Sequence, residues 1–347
     1  MVDQESNNTE RPIARIGPGT FSLHDIAKRA GVSPITVSRV INKPELVSMR
    51  TRTRVLQIMD DMGFVLNRLA SSFSRAASRI VGTVAPPIIN SGIAEQVQGM
   101  SDVFATGDYQ LLVSPGELSG DHEAQQVMNM LGWQPAGMVL QAFSDSDDLR
   151  ETLRARGLPV VEISEIVGFE PIDCVVGISN YEASRRMTIF LSECGYERVA
   201  FMGALSHGND RAMRRTLGYR AGMAELGRRP VEVIGPLHAS YAATGLRQIM
   251  ELQPDTQAIF CASDTFAFAA IQECGRRGLR VPDDLAIVGF GDLDFASIIV
   301  PTLTTVRVDR YQMGRLAAET LLRRIAGEVD VPRIQNVGFT IVRRASA

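Results

Sequence analysis

The sequence predicts an α/β protein in which an all-α helix-turn-helix head precedes a core of two doubly wound, parallel-sheet subdomains. Three observations carry that expectation. The chain has 347 residues and is 45% apolar, enough for more than one buried core at ~100–200 residues per domain. From residue 80 onward, short apolar strands alternate with amphipathic helices, the pattern of parallel sheets covered on both faces. Before residue 80 the punctuation is purely helical, and that stretch is strongly basic.

Net charge is −3, from 36 Lys and Arg against 39 Asp and Glu. Phe21 to Ile80 nevertheless holds ten bases (Lys28, Arg29, Arg39, Lys43, Arg50, Arg52, Arg54, Arg68, Arg75, Arg79) against four acids (Asp25, Glu45, Asp60, Asp61). The segment is therefore +6 and the remainder −9. Such a split joins a polyanion-binding module to an ordinary acidic domain, and it excludes a protein that is basic throughout. No apolar run approaches the ~20 residues that span a bilayer. Cys174, Cys194, Cys261 and Cys274 are far apart and form no CxxC, so neither a disulfide framework nor a zinc site is indicated. The composition reads as cytoplasmic, with no metal and no cofactor.

Residues 1–19 are polar, contain Gly17, Pro18 and Gly19, and read as a flexible tail without the apolar stretch of a secretory signal. The head is expected over 20–65, with helices at Asp25–Ala30, Ser33–Asn42 and Ser48–Met62. Ile26, Ala27, Ala30, Val37, Val40 and Ile41 fall at helical spacing and supply the apolar faces. Ala27 is small where two helices would cross, and Gly31 permits the left-handed turn that ends the first. Ser33 is a good N-cap and Pro34 suits the first helical position. Two short helices joined by a glycine turn form a helix-turn-helix, whose second helix enters the major groove. The competing reading is an ordinary αα-hairpin with a solvated charged face. The local charge and the third capped helix weigh against it.

Residues 66–79 are polar and read as a linker into the strand Ile80–Ala85. Further strands are expected at Tyr109–Ser114, Gly137–Gln141, Pro159–Ile163, Cys174–Ile178, Arg198–Gly203, Ala258–Cys261 and Leu285–Phe290. The expected helices are Glu95–Thr106, Asp121–Trp133, Asp145–Arg156, Tyr181–Cys194, Met213–Leu226, Tyr241–Glu251, Asp264–Arg277 and Gln312–Ala326. Alternation from 80 to 347 exceeds one sheet of typical width. Two sheets with a cleft at their strand C-termini are the economical arrangement.

Leu23–Asn42 closely resembles the DNA-binding head of the lactose/galactose repressor (LacI–GalR) family. The resemblance continues through Val176–Asn180, Gly195–Ala200, Arg215–Tyr219, Val281–Leu285, Gly289–Asp292 and Pro301–Val306, which are similar to that family's periplasmic-binding-protein-like core. It implies that Pro34, Ile35 and Arg39 face base edges. Ser22, Ser33, Thr36, Ser38, Asn42, Ser48 and Thr51 would hold phosphates, by side-chain or backbone donors. Arg39 is the clearest specific reader, because guanidinium pairs bidentately with a guanine edge. Phe64–Phe73 occupies the place of the family's hinge helix, which implies DNA contacts from Asn67, Arg68, Ala70 and Phe73. Phe73 stands where the family has a minor-groove leucine wedge, and Leu66 replaces the usual proline. Phe is an acceptable wedge; the competing reading packs Phe73 on the core.

The same resemblance divides the core at 80–347 into one subdomain of 80–179 plus 308–327 and another of 180–307 plus 328–347. It places Glu162, Arg215, Tyr241, Ser263, Asp264 and Gly291 at an effector cleft between them. Arg215 would clamp a carboxylate bidentately, Tyr241 would stack on a sugar face, and Glu162 and Asp264 would accept hydroxyl hydrogen bonds. The duller readings are a helix cap for Asp264, a core residue for Tyr241 and an exposed helix arginine for Arg215. The family often carries Asp where Ser179 and Gly291 stand, and Asn where Ser263 stands. Losing an acid at 291 removes repulsion against an anionic ligand. Ile172–Met187 and Asn336–Ile341 look most like the gluconate-utilisation repressors of the family. The expected partners are therefore double-stranded operator DNA, gluconate or a related sugar acid, and a second copy of the chain in a homodimer, with no membrane.

Rival functions remain on the sequence. Gly289 to Asp294 begins like a dinucleotide-binding GxGxxG, but its third glycine is Asp294 and no acidic ribose partner follows at the usual distance. His24, His122, His207 and His238 show no metal-ligand spacing, and neither a GxSxG elbow nor a Walker loop occurs. Catalysis is not expected. A solute-binding protein would share the core but not the basic head. A nucleoid-type DNA binder would lack an effector, and corepression would reverse the sign of the response.

Overall fold

The computed structural model describes residues 21–64, 78–86, 88, 91–115, 120–141, 147–168, 170–205 and 210–347. They fall in two units, Met1–Ala76 and Ala77–Ala347. The hinge segment with Asn67, Arg68, Ala70 and Phe73 lies outside the described residues.

The first unit contains α1 (Leu23–Ala30), α2 (Pro34–Asn42) and α3 (Met49–Asp61). Each helix starts where a serine can replace the missing intrahelical acceptor. Ser22 and Asp25 form a reciprocal capping box at α1, Ser33 accepts from the Thr36 N–H at α2, and Ser48 accepts from the Thr51 N–H at α3. Gly31 ends α1 at φ +61°, a conformation open to glycine without a Cβ clash. Ile26, Ala27, Ala30, Val37, Val40 and Val55 close the small core, with Ile41 packed at its edge.

The second unit holds two six-stranded sheets. The first is built from β1 (Ile80–Ala85), β2 (Gln110–Pro115), β3 (Gly137–Gln141), β4 (Val160–Glu165), β5 (Cys174–Ile178) and β11 (Ile334–Asn336), in the order β11-β5-β4-β3-β1-β2. The second is built from β6 (Val199–Ala204), β7 (Val231–Gly235), β8 (Ala258–Cys261), β9 (Ala286–Gly291), β10 (Thr304–Arg307) and β12 (Thr340–Val342), ordered β12-β10-β9-β8-β6-β7. All pairings are parallel except β10 with β12. Helices α4 (Ser91–Thr106), α5 (Gly120–Leu131), α6 (Asp147–Ala155) and α11 (Arg310–Ile325) connect the first sheet. Helices α7 (Asn180–Glu193), α8 (Asp210–Glu225), α9 (Tyr241–Leu252) and α10 (Asp264–Arg276) connect the second. Central strands such as β5, β6 and β9 are buried along their whole length, as parallel strands covered on both faces must be.

Two differences from the sequence expectation matter for the site. The chain crosses between sheets after β5 and after β10, but the third crossing lies between β11 and β12, not near residue 327. Ile334–Asn336 pairs in register with Val175–Gly177 of the first sheet. That edge strand has three residues, too short to show a period. Second, β4 runs on to Glu165, two residues past the expected end, and so carries a second acid to the strand's C-terminus.

Two helix pairs cross with their backbones nearly touching. A Cβ on Gly314 would sit 2.1 Å from the Gln96 carbonyl oxygen, and one on Gly218 would sit 2.1 Å from that of Tyr181. The first contact locks α11 onto α4, and the second locks α8 onto α7. Any larger residue would have to push the helices apart, a cost of about 1–3 kcal/mol. These crossings set the walls of the cleft described next.

Candidate functional site

On the head, α2 presents one face to solvent. Val37 and Val40 are buried, which turns Pro34, Ile35 and Arg39 outward; Ile35 is 65% exposed. Ile35 and Arg39 are one turn apart and share that face. An exposed isoleucine beside an exposed arginine suits a surface that meets base methyls and a guanine edge. The candidate phosphate-holding residues gather at helix starts. Ser22 donates to the Asp25 carboxylate at 2.6 Å, the Ser33 and Thr36 hydroxyls lie 2.9 Å apart, and Ser48 donates to Thr51 at 3.0 Å. Their hydroxyls are thus engaged within the head, so the first-turn backbone N–H groups are the donors a phosphate would meet. Asn42 donates to Ser38 at 3.3 Å at the far end of α2.

The core residues implied at the cleft do not all converge. Glu162 is buried and points away from it: its carboxylate accepts from Arg150 Nη1 at 2.7 Å and from the Ile172 N–H at 2.6 Å. Burial raises its pKa against the opposing pull of those donors. Tyr241 packs its ring over Gly235 and, at 6.1 Å, against Phe266, while its hydroxyl donates to Gln248 at 3.0 Å. Ser263 caps α10 by accepting from the Phe266 N–H at 3.3 Å. Strand parity accounts for Glu162, since neighbouring residues of β4 face opposite sides.

Asp264 is fully buried and acts as a staple. Its carboxylate accepts from the Thr305 hydroxyl at 2.5 Å and from the Leu293 N–H at 2.7 Å, tying α10 to β10 and to the loop after β9. Gly291 lies over this carboxylate and not in the cleft, and its φ of +135° is a glycine conformation. A side chain at 291 would be strained in this backbone conformation. Burial pushes the Asp264 pKa up to about 6 from 3.8, with the Thr305 and Leu293 donors opposing. A raised carboxylate means the folded state holds more protons than the unfolded between those two values. Stability from this group is full below pH 3.8 and falls as pH rises through about 6. Asp264→Asn should therefore gain on the parent as pH rises from 4 to 7, by about 3 kcal/mol. Urea unfolding of both chains at the two pH values checks this; a difference independent of pH would refute it.

What does converge is a narrow, nearly closed cleft with about 10 Å³ of free room, lined by Gln96, Ile178, Asn180, Arg211, Arg215, Phe290, Val308, Arg310 and Met313. It lies where the chain crosses between the sheets. Arg215 is its best-anchored member. Nε donates to Asn180 Oδ1 at 2.9 Å, Nη1 donates to the Ala262 carbonyl at 2.7 Å, and the guanidinium stacks 3.8 Å from the Phe290 ring centroid. Asn180 is held in turn by Glu165, which accepts from its N–H at 3.0 Å and from Nδ2 at 3.2 Å. Burial, then the facing Arg310 and Arg211, hold the Arg215 pKa well below its usual value. The lining carries three guanidiniums and no carboxylate, which is the electrostatics of an anion site. The sequence reading found Arg215 but not Gln96, Asn180, Arg211, Phe290 or Arg310. Arg211 lies one turn before Arg215, the signal by which it could have been found.

Among the described residues, no helix is long and apolar enough to cross a membrane, and no cluster of His, Cys, Asp or Glu is arranged to hold a metal. Residues 22–67 match the family described as bacterial regulatory proteins, lacI family, and residues 189–347 match the periplasmic binding protein-like domain. The HTH-type transcriptional regulator GntR of Escherichia coli K12 is 33% identical over 321 residues, covering 92% of this chain and 96% of that protein. The regulator of the same name from Pseudomonas aeruginosa is 29% identical over 348 residues, 99% of this chain and 98% of its own. A solved LacI-family transcriptional regulator from Silicibacter pomeroyi superposes with a TM-score of 0.86 at 26% identity, over 94% of this chain and 99% of that one.

Proposed function

The chain belongs to the lacI family of bacterial regulatory proteins and is a DNA-binding transcriptional regulator; on that premise we propose that it represses a sugar-acid catabolic operon of the gluconate type. It acts as a cytoplasmic homodimer on a palindromic operator, since a two-fold pair of heads reads matched half-sites. A sugar acid bound between the walls of the core cleft, which must part to admit it, releases it. The observation that carries this reading is the trio Arg211, Arg215 and Arg310 in a lining without a carboxylate. A bound anion adds to the partial compensation that Glu95, Glu165 and Asp264 already give Arg215 and Arg310, and a neutral sugar does not. The relatives named GntR support the same class.

Calorimetric titration of the purified protein with gluconate, 2-ketogluconate, 5-ketogluconate, idonate and ribose tests the reading. Saturable binding of at least one acid and none of ribose is expected. Binding of ribose with failure of every acid would overturn the anionic effector while leaving the DNA-binding assignment intact. Operator affinity measured with and without the bound acid then gives the sign, and tighter binding would replace release by corepression.

A further inference from the structure

The three arginines of the cavity are not equivalent. Arg215 already spends Nε on Asn180 and Nη1 on the Ala262 carbonyl, and its face lies on Phe290. Its fork is therefore turned toward protein, which leaves Nη2. The opposite wall is different. Arg310 Nε and Gln96 Nε2 are both buried and, among the described residues, have no hydrogen-bond partner, although Gln96 as a whole is only 1% exposed. Buried donors are almost always bonded, so an orphaned pair on one wall of a cavity calls for an acceptor from outside the protein.

The fold explains why these two groups meet although 214 positions separate them. Gly314 lies against the Gln96 carbonyl, and Arg310 is one turn earlier on α11. Gly92, one turn before Gln96 on α4, lies so close that a Cβ there would be 2.6 Å from Arg310 Cδ. The Arg310 stem is thereby laid along α4 between Gly92 and Gln96. Both donors are fixed by helix crossings and not by hydrogen bonds of their own, which keeps them available.

We propose that Arg310, together with Gln96, reads the carboxylate of the effector, while Arg215 offers Nη2 to a hydroxyl and positions the crossing segment. The proposal rests on the sugar-acid reading and makes Arg310 the residue that separates an acid from the corresponding polyol. Guanidinium and amide donors side by side can engage both oxygens of a carboxylate, and a charge-assisted pair is the strong kind of hydrogen bond.

The test compares gluconate with D-glucitol, the same six-carbon chain without a carboxylate, by calorimetry on the full chain. The parent protein should prefer gluconate by about 100-fold or more. Arg310→Gln should weaken gluconate by about 100-fold and glucitol little, bringing the two together. Arg310→Lys should keep part of the preference, and Gln96→Leu should weaken gluconate by about tenfold. These two milder changes carry the test if Arg310→Gln fails to fold, because a general lesion would weaken both ligands alike. Parental preference in the Arg310 and Gln96 variants, with loss of preference in Arg215→Ala, would overturn the proposal and return the carboxylate to Arg215. A parent that does not distinguish the two ligands would overturn the sugar-acid reading itself.

Discussion

Arg39→Ala is expected to abolish operator selectivity and to leave weak, salt-dependent binding to any duplex. The residue is exposed on the outer face of α2, one turn from the 65% exposed Ile35, so its removal disturbs no packing in the head. A bidentate arginine–guanine pair discriminates by about 1–3 kcal/mol. In a two-fold dimer it is lost twice, which multiplies to between about 30-fold and 10⁴-fold in the specific-to-nonspecific ratio. Binding through phosphates rests on the other bases of the head and on the helix N-termini, so affinity for random DNA should still fall steeply with salt. Competition between an operator selected from a random pool and non-specific duplex, over a salt series, measures both quantities. A parental ratio in the variant would remove Arg39 from the base-reading surface.

Arg215→Ala should uncouple the protein from its effector by a different route. The side chain links two parts of the core. Through Asn180 it reaches Glu165 at the end of β4, and through the Ala262 carbonyl it reaches the segment before α10. The first contact belongs to the crossing after β5, the second to the other sheet. An effector shifts DNA affinity only by its differential affinity for two core arrangements, and in the proposed site Arg215 would tie ligand and crossing together. Its loss should raise the gluconate concentration needed for half-release of operator by about 100-fold, from one or two charge-assisted bonds. Gluconate and glucitol should weaken together, since the carboxylate keeps Arg310. Fluorescence anisotropy of a labelled operator, titrated with gluconate, reads the shift; release at the parental concentration would show that Arg215 has no part in coupling.

Legibility differed sharply between the two halves of the site. Gly31, Ser33, Pro34 and Ser48 act on their own helices within a few residues and fall where the sequence places them; Ser22 caps α1 at Leu23, two residues before the expected start. The faces of α2 follow from helical period alone. The alternation that built the two sheets was also readable, but β7, β10, β11 and β12 were not expected. β11 and β12 have three residues each, too short for a period to emerge, while β7 is an edge strand carrying Glu232 and β10 opens on two threonines, so neither shows a continuous apolar run; β12 also depends on a partner 37 positions earlier at the Thr305–Val342 pair.

The cavity was legible only in part. Arg215 came from resemblance, whereas Glu162 and Tyr241, drawn from the same source, find partners elsewhere. Whether an acid on β4 faces the cleft depends on strand parity and on where β4 ends: Glu162 turns to Arg150 and the Ile172 N–H, and Glu165 sits behind Asn180. Gly291 stands next to the Asp264 carboxylate with a φ of +135°, a backbone feature that composition and spacing do not reveal. Arg310 and Gln96 stand on helices remote in sequence and meet because Gly314 and Gly92 let α4 and α11 approach backbone to backbone. The sequence by itself determined the head, the caps at Ser33 and Ser48, the exposed face of α2 and the two-sheet class, because caps and periodicity act over three or four residues. Only the tertiary structure decided which polar groups share the cavity, because that depends on helix crossings and strand ends, where atoms distant along the chain compete for the same donors and acceptors.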